Sequence, residues 1–552
     1  MSGISPGGGG SSARPPGPDP GAPNQTLALA AMMFAVSMTF IDQTIVAIAA
    51  PEITDELGLS SSGIRWVVNA YLLALAAFFA LGGRLADLFG RRRTMLVGTL
   101  VFVVSSVLCG CVPTGGAAQT WMIVFRATQG VGAALMFPAA LAVVVAVFPV
   151  ERRGRALALF FGVAGGLTAL GPLLGGWLTA WTWRAIFWVN VPIAVIAIVL
   201  TLLARIPDEV RRERLDVPGA LLIAGGMGLS VLGLQQAAVW GWGSVATWLC
   251  VALGFALLVV FGWYELRFPE RPLILLRVFR DRAFLVDNAV LFFAMLAFVP
   301  MFFFASVYAQ VSLGKSPNEA ALYLLYFFIG FVVASQIGGR VLDTRGARPA
   351  ILLGSALGAA GFALWAARMP DLSFAEQWPY VVLSGAGIGF LLAPASTDAV
   401  NRAIDASYGE VTGITQTVRN YAAALGLAVF GTVLSHETVS RVAETLRSRG
   451  LPADLAHDAA QRVAQSVAGQ GGQHEPAGTG PVAKVLREVQ QAIRVDFAEA
   501  NQWVFAGMAL ALAVAFLCAL AHPGTRVTGA ERGPDPAKPV GGDGSSGPSV
   551  DG

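Results

Sequence analysis

The sequence predicts an all-α integral membrane protein, and three observations carry this prediction. Of the 552 residues, 55% are hydrophobic and only 13% are charged, about half the charged share of an ordinary soluble domain. The apolar residues occur in runs of about 20, the length a helix needs to cross a ~30 Å hydrocarbon layer. Arginine is concentrated in every second connection between these runs. An ordinary soluble fold is excluded, because it would need far more polar surface.

Fourteen apolar runs are bounded by charges, prolines or glycine clusters, and each predicts one transmembrane helix. They lie near residues 27–50, 63–83, 94–112, 120–148, 155–180, 185–204, 218–239, 246–266, 284–311, 319–340, 348–368, 378–400, 410–435 and 500–521. An even number of spans places both termini on the same side of the membrane.

The arginines predict which side that is. The loops after spans 2, 4, 6, 8, 10 and 12 carry twenty arginines, whereas the short loops on the other face carry four basic residues. Because positive loops stay in the cytoplasm, we expect a multi-pass plasma-membrane protein with both termini cytoplasmic. We call the side with twenty arginines the arginine-rich face.

The segments outside the spans differ in character. Residues 1–26 and 523–552 are rich in Gly, Pro and Ser and predict disordered cytoplasmic tails. Residues 436–499, between spans 13 and 14, form the one long segment on the opposite face. Apolar residues recur there at helical spacing, which predicts two or three amphipathic helices. They would form either a surface appendage or a lid over the transport path.

A sequence repeat divides the spans into two halves. GGRLADLFGRRRTMLVG, starting at Gly82, aligns without a gap with GGRVLDTRGARPAILLG, starting at Gly338, at an offset of 256 residues. Because the two segments follow spans 2 and 10, residues 27–204 and 284–522 are predicted to be homologous six-helix halves. Residues 205–283 then supply a linker and two inserted central helices. Two such halves around a site near the midplane indicate a secondary transporter.

These motifs also carry a family resemblance. The loop that begins at Gly82 resembles the cytoplasmic signature of the major facilitator superfamily. Other motifs are similar to its fourteen-span drug:proton antiporter branch, namely FIDQTIVAIAAPEI in span 1, RATQGVGAA in span 4, GPLLGGWL in span 5, WRAIFWVNVP entering span 6 and GEVTGITQTVRNYAAALGLAVFGTVL in span 13. The resemblance implies a monomeric exporter that needs no cofactor and is driven by the proton gradient. Its partners would be a lipophilic small-molecule substrate, protons and membrane lipids, and no basic block suggests nucleic acid.

Asp42 and Arg126 are the leading candidates for a functional site. Asp42 lies about 12 Å below the outer membrane boundary and Arg126 about 9 Å below it, at 1.5 Å per residue. An intramembrane carboxylate costs several kcal/mol unless it is protonated, paired or hydrated, so it is a functional candidate. Arginine keeps its proton, so its role would be electrostatic. The alternatives are a permanent structural pair for Asp42 and an Arg126 head that reaches the outer interface.

The resemblance assigns roles to these and to other positions. It implies that Asp42 recognises protons or cationic substrate, and that Arg126, followed by Gln129 and Gly130, takes part in proton transfer. Our hypothesis is that substrate and proton compete for Asp42 while Arg126 tunes the exchange.

Two glycine-containing motifs have implied conformational roles. Asp87 would latch the outward-facing state by binding the first turn of span 13, near residues 409–413. The matching latch residues are Gly83, Asp87, Gly90, Arg91 and Arg92. The alternative for the arginines is that they only determine topology. Span 5 carries the antiporter-type packing face, thought to prevent leak, at Gly165, Gly171, Pro172, Gly175 and Gly176. Ordinary close helix packing is the alternative there.

Three further charged residues lie in or near the spans. Asp287 and Asp398 are close to the arginine-rich boundary, which leaves open either a coupling role or a solvated position at a helix end. Arg419 is about 13 Å deep and requires a partner. All four histidines lie outside the spans, so we expect carboxylates to carry intramembrane protons. Neither His nor Cys spacing indicates a metal site.

The sequence therefore predicts a proton-driven exporter of lipophilic drugs or antibiotics. A narrower alternative is an exporter dedicated to one endogenous metabolite or self-made antibiotic. A polytopic membrane enzyme is disfavoured, because the loops contain no nucleophile–base pair and no metal set. We expect no enzymatic activity.

Overall fold

The computed structural model describes residues 24–208, 215–268, 276–402, 408–469 and 490–524. This part of the chain is helical and contains no strand, which confirms the predicted all-α class. The predicted tails lie outside it except for their innermost residues.

Sixteen α-helices lie within these ranges. In chain order they are α1 (Gln25–Leu57), α2 (Ser61–Phe89), α3 (Arg91–Gly110), α4 (Ala118–Val147), α5 (Val150–Thr179), α6 (Ala185–Trp188), α7 (Asn190–Leu203), α8 (Val217–Trp240), α9 (Val245–Arg267), α10 (Arg282–Val311), α11 (Pro317–Arg345), α12 (Ala347–Arg368), α13 (Phe374–Asn401), α14 (Tyr408–Ser448), α15 (Ala453–Gly469) and α16 (Gln490–Leu520). A 3₁₀ turn at Leu276–Arg280 precedes α10.

Polar residues immediately before the long helices set where they begin. The side chains of Asn24, Ser60, Asp216 and Asp281 accept backbone N–H groups of the first turns of α1, α2, α8 and α10. Such caps satisfy N–H groups that have no partner within the helix. At α11 a capping box joins Ser316 and Glu319.

Each of the fourteen predicted spans coincides with a helix, with α6 and α7 together forming span 6. In the described part of the chain, thirteen segments are long and apolar enough to cross a membrane. The remaining span, 155–180, corresponds to α5, a 30-residue helix that packs against α1 and α11. Much of its middle is described only as backbone.

The sequence repeat is also a packing repeat. A Cβ added at Gly82 of α2 would lie 1.9 Å from the carbonyl oxygen of Ala134 in α4. The equivalent Cβ at Gly338 of α11 would lie 2.5 Å from the carbonyl oxygen of Phe390 in α13. Both contact residues are related by the same 256-residue offset. The repeated glycines therefore let equivalent helix pairs approach backbone to backbone in the two halves.

The two halves share a hydrophobic core on the arginine-rich side. Phe79 and Ala80 of α2 belong to the same buried cluster as Val400 of α13 and Ile414 of α14. A Cβ on Gly413 would lie 3.4 Å from Ala80. Outside this core, the described residues form a separate cluster in each half: one near the opposite face in the first half, and one that runs through the second half. The conformation is therefore closed on the arginine-rich side.

The inserted helices α8 and α9 pack together, and α8 lies against α2 and α14. Trp242, in the turn between them, donates its Nε1–H to Oγ1 of Thr432 in α14 at 2.5 Å. Leu234, Val251 and Ala428 form a small buried cluster beside this contact. The insertion thus contacts both halves of the protein.

The long segment 436–499 is largely a continuation of its neighbouring spans. Helix α14 runs without a break to Ser448, α15 follows, and α16 begins at Gln490, while residues 470–489 lie outside the described part. Val442, Leu446 and Ala460 belong to its own small core. Arg441 of α14 pairs with Glu499 of α16. Helices form in this segment, as predicted. Its first and last parts, however, belong to the transmembrane helices α14 and α16.

Candidate functional site

Asp42 and Arg126 form a buried ion pair between α1 and α4. Arg126 Nη1 lies 2.5 Å from Asp42 Oδ2. Gln129, one turn further along α4, donates its Nε2–H to Asp42 Oδ1 at 2.9 Å and accepts from Arg126 Nη1 at 2.8 Å. All three residues are at most 1% exposed. The sequence placed the two charges at one depth, and the structure brings them into direct contact together with Gln129.

Helix α2 completes the surroundings of the guanidinium group. Arg126 Nε donates to the carbonyl oxygen of Val67 at 3.3 Å, and its guanidinium carbon lies 4.5 Å from the centre of the Tyr71 ring. A Cβ on Gly130 would lie 2.4 Å from the Tyr71 carbonyl oxygen, so α2 and α4 are in close contact here. Arg126 is 1% exposed, so the alternative in which its head reaches the outer interface is wrong.

Each charge of the ion pair has further hydrogen-bond partners. Both carboxylate oxygens of Asp42 accept from charged or amide donors, and the guanidinium also has two acceptors besides Asp42. Removing one member of such a buried pair leaves an uncompensated charge, at a cost of about 3–5 kcal/mol. Apart from Asp42, the arginine has Gln129 and the Val67 carbonyl as acceptors.

The predicted latch motif forms the junction between α2 and α3. Asp87 is 5% exposed and lies 3.9 Å from Nε of Arg91. Gly83 is buried, and Gly90 has φ +97°, a conformation that favours glycine. The expected contact between Asp87 and the first turn of α14, near residues 409–413, lies partly outside the described residues. It therefore stays a prediction.

Asp208, which the sequence analysis overlooked, binds the same junction. Its Oδ1 accepts the backbone N–H of Arg92 at 3.2 Å, and its Oδ2 lies 3.1 Å from Nε of Arg93. This carboxylate caps the N-terminus of α3, where negative charge is favourable. A proline followed by an acidic residue directly after span 6, in the sequence IPD, could have pointed to this carboxylate. Arg91 and Arg93 therefore both have carboxylate partners within the protein.

The glycine-rich face of α5 lies against α1. A Cβ on Gly171 would lie 1.9 Å from Thr44 Oγ1 and 3.2 Å from the Ile41 carbonyl oxygen, one residue before Asp42. Gly175 is also buried and Gly176 is partly exposed. Gly165 and Pro172 lie in the same helix at positions described only as backbone. Close packing at Gly171 thus fixes the segment that carries Asp42.

Asp287, Asp398 and His522 form a second buried polar cluster. His522 Nε2 lies 3.5 Å from Asp287 Oδ1 and 3.3 Å from Asp398 Oδ2. Arg402 Nε lies 2.6 Å from Asp398 Oδ2. Asp287 is 0% and Asp398 3% exposed, so the solvated alternative is wrong for both.

His522 joins this cluster although it lies outside the spans, as predicted. His522 follows the last span in sequence, but it folds back against the carboxylates of α10 and α13 and is 2% exposed. Ligand atoms of the three side chains lie within 4.8 Å of one another, a grouping that spacing along the chain did not reveal. Arg419 of α14 is also buried, with 3% of its surface exposed.

Comparison with known proteins identifies the family. The family model described as Major Facilitator Superfamily matches residues 32–427. The chain belongs to the major facilitator superfamily. Members of this superfamily are membrane transporters, so the chain is an integral membrane transport protein and its family is not one of enzymes.

The most similar major facilitator relatives include several drug exporters. The chain is 32% identical to the tetracenomycin C resistance and export protein of Streptomyces glaucescens, over 93% of this chain and 95% of that protein. It is 34% identical to a puromycin resistance protein of Streptomyces alboniger, over 78% and 85%. It is 31% identical to the multidrug resistance protein Stp of Mycobacterium tuberculosis, over 74% and 76%.

Solved major facilitator structures share the fold. The human organic anion transporter MFSD10 aligns with a TM-score of 0.55 at 14% identity, over 90% of this chain and all of that chain. The proton:xylose symporter XylE aligns with a TM-score of 0.53 at 13% identity, over 90% and 94%. At these identities the likeness concerns the fold alone.

Proposed function

We propose that this protein exports lipophilic drugs or antibiotics across the plasma membrane in exchange for protons, by alternating access. The observation that carries the proposal is the buried network of Asp42, Arg126 and Gln129. A buried carboxylate that is paired with an arginine and an amide can bind a proton or a cationic group in place of its partner. The relatives named for antibiotic resistance and export supply the substrate class.

Competition between proton and substrate for Asp42 would couple proton entry to substrate export. When a proton binds Asp42, the carboxyl group loses its charge and Arg126 is held by Gln129 and the Val67 carbonyl. When a cationic substrate approaches, the deprotonated carboxylate can accept it. Because one carboxylate serves both ligands, bound proton and bound substrate exclude each other, which is the requirement for exchange.

Alternating access is supported by the way the halves meet. The shared core on the arginine-rich side and the otherwise separate cores of the two halves fit a state closed toward the cytoplasm. The opposite state requires that core to open while each half keeps its own core. With the arginine-rich face in the cytoplasm, both termini would also be cytoplasmic. Reporter fusions at each terminus test this orientation.

The narrower alternative is an exporter of a single endogenous metabolite or self-made antibiotic. It is favoured by relatives that are named for one compound, such as tetracenomycin C or cephamycin. A panel of chemically unrelated lipophilic compounds separates the two, because a dedicated exporter would respond to one chemical class only.

The decisive experiment measures proton flux in reconstituted vesicles. Wild-type protein should move protons when a substrate from a panel of dyes and antibiotics is added, and the Asp42→Asn variant should not. Asp371→Asn is the matched control, because Asp371 is an exposed carboxylate that pairs with Arg368 at a helix end. Substrate-induced proton flux of wild-type size in Asp42→Asn would refute the proposed coupling.

A further inference from the structure

The cluster at the arginine-rich end of the second half has an unbalanced charge. Asp287 and Asp398 would carry two negative charges when ionised, and Arg402 supplies one positive charge. Asp281, at the N-cap of α10, adds further negative charge close enough to repel an ionised Asp287. A buried net negative charge is costly unless a proton or a cation compensates it.

The hydrogen bonds of His522 show that it is not the compensating charge. Its Nδ1 accepts the backbone N–H of Gly524 at 3.1 Å, so Nδ1 carries no proton and the ring is neutral. The ring proton is therefore on Nε2, which faces Asp398 Oδ2 and Asp287 Oδ1.

The same tautomer argues against a metal ion. A histidine that binds a metal through Nε2 keeps its proton on Nδ1, which then donates to a neighbour. Here Nδ1 is an acceptor. The guanidinium of Arg402 at 2.6 Å also occupies the oxygen of Asp398 that faces the histidine.

Asp287 is the group left without compensation. It is 0% exposed, and neither of its carboxylate oxygens accepts a hydrogen bond. An ionised carboxylate in that position would have lost its hydration without gaining donors. A protonated Asp287 instead becomes a donor toward Asp398 and leaves the cluster neutral.

We propose that Asp287, Asp398 and His522 form a second proton-binding site, separate from Asp42, in which Asp287 holds the proton while the arginine-rich side is closed. Its consequence for transport rests on the proposed function, but the bound proton is measurable without transport. When Asp287 releases its proton, the buried negative charge repels Asp398 at the end of α13. That end also carries Asn401, which accepts a hydrogen bond from Arg153 of the other half.

Infrared difference spectroscopy of the purified full-length protein tests the proton directly. Without substrate or a gradient, wild-type protein should show a protonated-carboxyl band at neutral pH that disappears in alkali. Asp287→Asn should remove one protonated carboxyl per chain, whereas Asp42→Asn and the exposed control Asp371→Asn should keep it. Persistence of the band in Asp287→Asn would overturn the proposal.

A second variant keeps the test independent of whether Asp287→Asn folds. Asp398→Asn retains the carboxyl of Asp287 but changes its acceptor, so the band should shift in frequency without being lost; an unshifted band would contradict the assignment. Titration with Mn²⁺ or Zn²⁺ covers the metal alternative. Binding of one ion per chain that is lost in Asp287→Asn would also overturn the proposal. Loss of proton flux in Asp42→Asn with the Asp287 band intact would separate the two sites.

Discussion

Arg153 at the start of α5 donates from Nη1 to Asn401 Oδ1 at the end of α13, at 3.1 Å and out of contact with solvent. The bond joins the two halves on the arginine-rich side, where they also share an apolar core. Asn401 lies three residues from Asp398, so this contact between the halves and the second polar cluster share one end of α13.

Asn401→Ala should weaken closure of the arginine-rich side. A hydrogen bond to a charged group contributes about 1.5–3 kcal/mol, so the closed state should lose about tenfold or more in population. Labelling of a single cysteine introduced at this face, with the four native cysteines replaced, measures the change. Asn501→Ala is the control, because Asn501 of α16 donates to the Phe497 carbonyl of its own helix. Equal labelling of Asn401→Ala and wild type would contradict the expectation.

Asp42→Asn should destabilise the folded protein, because Arg126 stays buried without its counter-charge. The expected loss is about 3–5 kcal/mol, measured by unfolding in detergent. The double variant Asp42→Asn with Arg126→Gln should recover most of it, since both charges are then gone. If the single and double variants unfold alike, the ion pair is not the source of the effect.

Gly82→Ala should separate α2 from α4, because the added methyl group meets backbone atoms that cannot move aside. Overpacking of this kind costs about 1–3 kcal/mol. The equivalent Gly338→Ala should act in the same way in the second half. Gly116→Ala, at a position with no atom within 4 Å, is the control and should unfold like wild type.

Gly171→Ala should push α1 away from α5 next to Asp42. Adding Thr44→Ala to this variant should relieve the clash. The new methyl group would collide mainly with the Thr44 hydroxyl, so removing that hydroxyl makes room. We expect proton flux to fall in the single variant and to recover in part in the double variant. An unchanged flux in Gly171→Ala would show that this packing does not position Asp42.

Glu56 should make the stability of the opposite face depend on pH in the acid range. Trp183 Nε1 and Arg184 Nη1 donate to its two carboxylate oxygens at 2.6 and 2.5 Å, and these bonds lower the pKa of Glu56 below its ordinary value. Its contribution to stability is therefore complete above that ordinary value and is lost as the pH falls through the lowered pKa. Tryptophan fluorescence should report an acid transition that is absent in Glu56→Gln; the same transition in both proteins would exclude this carboxylate.

Much of the fold followed from local patterns in the chain. Apolar run length, alternation of arginine and the 256-residue repeat predicted helices at the observed places, because the hydrocarbon layer demands helices of fixed length with internally satisfied backbones. The shared depth of Asp42 and Arg126 followed from helical rise alone. The continuation of α14 to Ser448 did not, since the same polar residues fit a loop helix or an extended span.

The amino-acid sequence alone establishes the class of protein, its spans and the scarcity of charge that makes Asp42, Arg126 and Arg419 conspicuous. Which of these charges meet depends on how the helices pack in three dimensions. Gln129 joins the ion pair, Asp208 caps α3, and His522 returns from beyond the last span to Asp287 and Asp398. Each of these contacts joins residues that are distant in sequence, and helical periodicity carries no information about which faces of different helices pack together.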